Sequence, residues 1–177
     1  MCKPAHVYDK YIKELDSLKV VVEQAVDNFN TVDSTLCYNA YSKYYTYSTF
    51  INAHLKDTVT KEQAEGMQSF FAIGKPLNDY LAMRPLWLTE ARLRIKQVSA
   101  LTNDLKNGSI ETSEAIEFIN EEKKQSEKII EELKINTALI RKHLELYAKN
   151  LPVVESVLRN INSGKLPDPM KPEIKRH

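Results

Sequence analysis

Glycine and proline are scarce in this chain, 4 and 7 of its 177 residues, and a turn-rich β protein needs more of both. Two cysteines, Cys2 and Cys37, are too few for a disulfide scaffold. There is no excess of either charge: 25 basic against 24 acidic residues leave a formal +1, so no global field draws the chain onto nucleic acid. No local basic patch takes its place, and no nucleic-acid partner is expected. No run of some 18 apolar residues exists to cross a membrane. The start Met-Cys-Lys-Pro-Ala lacks the basic region and apolar run of a signal peptide, so the chain as given is either cytosolic or already trimmed.

Catalytic patterns are also missing. There is no Gly-rich phosphate loop, GxSxG elbow or HExxH pair. His6, His54, His143 and His177 are scattered, and Glu121–Glu122 and Glu131–Glu132 are sequence neighbours that point to different sides of a helix. A di-iron bundle needs Glu-x-x-His on facing helices, and that is absent. The expectation is a protein that is not an enzyme, with no cofactor and no metal.

What the chain does have is helical periodicity. From Thr112 to Leu151 an alternation of three and four residues runs through Ile116, Ile119, Lys123, Ser126, Ile130, Leu133, Thr137, Ile140, Leu144, Tyr147 and Leu151. Such spacing keeps one stripe facing a partner for about 40 residues, about 60 Å of helix. The polar members Lys123, Ser126 and Thr137 either fix register, mark a shallow part of the bundle, or face a groove for a partner helix. Pro152 predicts a kink, after which the apolar face continues to Asn162 and Gly164 closes the helix.

Tyr8, Tyr11, Leu15, Leu18, Val22, Ala25, Phe29, Val32 and Leu36 repeat the spacing in the first third of the chain. The stripe then slips and resumes at Ala40, Tyr44, Tyr47, Ile51 and Leu55. The polar stretch from Asn28 to Thr35 is a weak point. Without Gly or Pro there, one continuous helix over 5–55 is expected, with a stutter. Thr60 and Gln63 form a capping box for a second helix that Asn107 and Gly108 stop, with kinks or breaks at Pro76 and Pro85.

The fold expected is therefore all-α, an elongated up-down-up antiparallel three-helix bundle of spans 5–55, 60–106 and 112–162, coiled-coil-like, with a Pro-kinked second helix. Complete breaks at Asn30 or Pro76 would give a bundle of four or five helices instead. Residues 1–163 form one domain in this reading. Residues 164–177, with Pro167, Pro169 and Pro172, form an extended or disordered tail that can still lie against the bundle.

Two constellations are candidate sites. Tyr41, Tyr44, Tyr47, Phe71 and Tyr147 come together if the helices are antiparallel. They either line a pocket for an apolar or aromatic ligand or fill an aromatic core. Cys37, Asp79 and His143 fall at one height and are ligand types for zinc or copper, but without a ligand-pair spacing they read as a buried thiol and two surface residues. Val20, Val21, Leu139 and Leu146 are leftover apolar positions that could seat a second copy, making a homodimer.

Cys2, followed by a polar, Pro-containing stretch, resembles the start of a mature bacterial lipoprotein. That resemblance implies lipid attachment at Cys2, a membrane tether, and a place in the bacterial periplasm or at the outer membrane. The function expected is a non-enzymatic cell-envelope bundle acting through protein contacts or as a spacer. The alternatives are a small-ligand module built on the tyrosines and a cytoplasmic coiled-coil adaptor.

Overall fold

The structure, a computed structural model, describes residues 8–56 and 58–175. The described residues are all-α, with five helices and no strand: α1 (Asp9–Asn30), α2 (Ser34–His54), α3 (Lys61–Phe71), α4 (Gly74–Asn107) and α5 (Thr112–Ile161). None is long and apolar enough to cross a membrane. Cys2, His6 and His177 lie outside the described residues.

The continuous first helix is corrected. It ends at Asn30 and restarts at Ser34. Asp33 is the cause: it has extended backbone, and its carboxylate accepts from Thr35 N–H at 2.8 Å and Leu36 N–H at 3.2 Å. Those amides would otherwise lack partners, so a new N-terminus forms without Gly or Pro. Val32 and Cys37 are buried at the two positions that staple a helix start. The restart explains the slipped stripe, because Cys37 turns inward and Leu36 is 46% exposed.

The second span divides too. The capping box forms as read, with Gln63 N–H donating to the Thr60 hydroxyl and Thr60 N–H to the Gln63 side chain. Helix α3 stops at Phe71, and α4 begins at Gly74, which places Pro76 in a first turn where its missing N–H is not needed. Helix α4 is unbroken through Pro85 and α5 through Pro152. Its stop matches the sequence reading. Gly108 sits at φ 63°, its N–H donates to Leu105 O at 3.3 Å and Ser109 N–H to Asp104 O at 3.0 Å, the paired bonds of a Schellman end.

Two compact units emerge, each assembled from separated stretches of chain. The first takes in Met1–Thr31 and Pro85–Thr137. Within it Asp16 pairs with Lys106 and Phe29 with Trp87, so α1 and this part of α4 run in opposite directions. Its core joins Tyr8, Leu15, Val98, Leu101, Leu105, Ala115 and Ile119. The polar members of the α5 stripe have distinct fates here. Lys123 is half-buried and pairs with Glu14, whose carboxyl it holds below the usual range chiefly through their hydrogen bond. Thr137 is buried and donates back to Leu133 O at 2.7 Å, while the buried Ser126 hydroxyl has no partner among the described residues.

The second unit takes in Val32–Arg84 and Ala138–His177. It holds α2, α3, the start of α4, the end of α5 and the chain beyond. Its centre is Phe70, fully buried, with Tyr44, Tyr47 and Tyr147 around it at centroid distances of 6.2, 6.2 and 6.0 Å. The backbone of α3 comes so close to α5 that a Cβ on Gly66 would meet Val153 Cγ1 at 2.8 Å.

Candidate peptide-binding face

The chain leaves α5 through Ser163 and Gly164, both left-handed at φ 51° and 82°, and turns back over the second unit. Residues 165–175 have neither helix nor strand. Pro167, Pro169 and Pro172 fix their own φ and push Leu166, Asp168 and Lys171 toward extended conformation, so this segment cannot coil. Its backbone polar groups need partners from elsewhere.

Helix α2 supplies the first pair. Ser42 and Thr46 lie one turn apart on the same face, and Met170 fits between them. The Met170 N–H donates to Thr46 Oγ1 at 2.9 Å, and the Met170 carbonyl accepts from Ser42 Oγ at 3.2 Å. Thr46 is itself buried and donates to Ser42 O at 2.9 Å, which fixes its rotor to leave a lone pair for the amide.

Asn78 supplies the second. It sits on α4, buried to 5% exposure, and its amide reads both backbone groups of one residue: Nδ2 donates to Lys175 O at 2.9 Å, and Oδ1 accepts from Lys175 N–H at 3.0 Å. Such an amide imitates the edge of a neighbouring strand. It recognises main chain whatever the side chain. Between the two anchors Pro172 is buried, the one side chain of residues 168–175 so enclosed. The face thus holds a segment by four backbone groups and one proline.

Beneath it the five candidate pocket residues pack as an aromatic core. Tyr41 and Tyr47 are buried, and Tyr44, Phe71 and Tyr147 half-buried. Tyr41 stacks on Tyr44 at 5.8 Å, and Phe71 meets Phe70 edge-on at 6.3 Å. Phe70 is the centre of this cluster. Tyr47 donates to Glu155 Oε1 at 2.9 Å, and Lys43 holds the same oxygen at 3.3 Å. Burial, then that carboxylate, pushes the Tyr47 phenol far up; burial also raises Tyr41, Tyr80 and Tyr147. The Tyr47 hydroxyl is thus a structural donor.

Cys37 is fully buried, and burial, with Asp33 adding to it, pushes its thiol up to about 11. Asp79 pairs with Lys75, and His143 Nδ1 donates to Leu139 O at 2.7 Å. Among the described residues no three His, Cys, Asp or Glu side chains gather to hold a metal.

Ser42, Thr46 and Asn78 were not singled out in the sequence. Nothing in the apolar periodicity marks them; Asn78 lies buried between Leu77 and the half-buried Asp79, and a buried amide needs partners. Set against known proteins, the chain matches no family model, no curated protein and no solved structure.

Proposed function

We propose that this protein acts through protein contacts, as a non-enzymatic docking module whose α2–α4 face holds extended, proline-containing peptide segments by their backbone. The observation that carries this reading is the two-way bond between the Asn78 amide and the Lys175 main chain, repeated at Met170 by Thr46 and Ser42. Main-chain bonds supply affinity and a buried proline supplies selectivity, the division of labour found where extended peptides dock. Residues 168–175 are then the segment held in cis, and a partner's segment of similar build is the one exchanged for it.

The experiment is peptide binding in trans. A fluorescent peptide with the sequence of residues 165–175 is titrated into a chain ended at Lys165, whose fold is checked by circular dichroism. Binding in the range of about 1 to 100 μM is expected, weakened at least tenfold by Asn78→Ala. A folded, shortened chain that ignores the peptide would refute the proposal.

Placement in a bacterial envelope through a lipidated Cys2 belongs to the same proposal and rests on the resemblance of the first residues. A lipid mass adduct on Cys2 of the native protein tests it. An unmodified Cys2 in the native host rejects it.

A further inference from the structure

Beside the strap of residues 165–175 lies an open cleft of about 520 Å³, a size suited to one small molecule. One wall is the outer face of α2, and the other is Leu166, Pro167 and Met170 of the strap. On the α2 wall, Phe50 and His54 stack with centroids 4.1 Å apart and planes 11° from parallel. The imidazole is pinned, since its Nδ1 is 3.0 Å from the Phe50 carbonyl. A carbonyl only accepts, so Nδ1 carries the proton, and in the neutral ring Nε2 remains an acceptor.

Two opposite charges complete the lining. Lys165 and Asp168 both border the cleft, and neither side chain has an ion-pair partner among the described residues. Both are exposed, and Pro167 and Pro169 flank Asp168 and stiffen the backbone between the charges. Apolar side chains of Ala53, Leu166, Pro167 and Met170, the stacked Phe50–His54 pair, one cation and one anion suit a ligand with a flat ring and both charges.

We propose that this cleft binds an aromatic zwitterion of the α-amino acid class. Its ring lies against Phe50 and His54, its carboxylate meets Lys165 and its ammonium meets Asp168. The proposal does not depend on peptide docking, because it uses the strap in place.

The test uses the full chain and three probes: L-tryptophan, indole-3-acetate, which lacks the ammonium, and tryptamine, which lacks the carboxylate. Titration calorimetry should show tryptophan binding at least roughly fivefold tighter than either analogue, as loss of a charge-assisted contact requires. Lys165→Met should erase the advantage over tryptamine alone, and Asp168→Asn the advantage over indole-3-acetate alone. Phe50→Ala should weaken all three. No binding of tryptophan at millimolar concentration, equal binding of the three probes, or indifference to Phe50→Ala in a folded variant would each overturn it. Because no strap-free chain is used, failure here leaves the peptide result untouched, and failure of the peptide leaves this one standing.

Discussion

Replacing Gly74 with alanine sets two effects against each other, and the structure decides which wins. Alanine suits a helix better than glycine, by up to about 1 kcal/mol in an interior and less in a first turn. A Cβ on Gly74, however, would lie 2.0 Å from Tyr44 Cζ and 2.4 Å from its hydroxyl oxygen. No atom tolerates that approach, so the Tyr44 ring must leave its seat. It then gives up its stack on Tyr41 at 5.8 Å and its contact with Phe70 at 6.2 Å. Two aromatic pairs are worth about 1 to 3 kcal/mol together. The balance is a loss of about 1 to 2 kcal/mol, or a Tm lower by about 2 to 8 °C for a chain of this size. A double-mutant cycle with Tyr44→Ala isolates the cause. With the ring gone, Gly74→Ala should be neutral or stabilising, giving a coupling of about 1 to 3 kcal/mol. A Gly74→Ala protein as stable as the parent, or a coupling below about 0.5 kcal/mol, would show that the Tyr44 ring does not oppose the new Cβ.

Other outcomes follow from the same geometry. Tyr47→Phe removes a bond to an ionised Glu155 that keeps Lys43, and should cost about 1 to 2 kcal/mol in a urea melt. Gly66→Ala presses a Cβ onto Val153 and should cost about 1 kcal/mol or more, recovered in the Val153→Ala background; an unchanged midpoint for the single variant would contradict the close approach of α3 and α5. Alkaline stability has a definite sign. The folded pKa values of Cys37, Tyr41, Tyr47, Tyr80 and Tyr147 are raised above ordinary values of 9.0 and 10.0, so their contribution is complete below those values and is lost as pH climbs through the folded ones. For Cys37, raised to about 11, the loss begins near pH 9. The urea midpoint at about pH 10.5 should fall below that at about pH 8, and a flat profile would contradict the burial of these groups.

The sequence revealed what is local and periodic. Most of helix α5 was legible because its stripe runs for about 40 residues, though the helix continues through Pro152 where a kink was expected, and Thr60 with Gln63 and Gly108 set boundaries by chemistry that acts within a few residues. The break at Asp33 was harder to see, since it rests on a carboxylate capping two amides and breaks the helix without the usual Gly or Pro. The candidate site was the least legible part. Apolar periodicity says nothing about Ser42, Thr46 and Asn78, whose partners are backbone groups more than 95 residues further along the chain. Of the two neighbouring rings Phe70 is the enclosed one, because the buried face of α3 is set by Gly66, Met67 and Phe70.

Main-chain groups of Met170 and Lys175 are held by side chains of α2 and α4. Amide hydrogen exchange resolved by NMR reads these bonds one by one. In the parent protein the N–H groups of Met170 and Lys175 should exchange at least about tenfold more slowly than in a free peptide of the same sequence. In Asn78→Ala the Lys175 amide should return toward the peptide rate while Met170, held by Thr46, stays slow. Both amides exchanging at peptide rates in the folded parent protein would contradict the account.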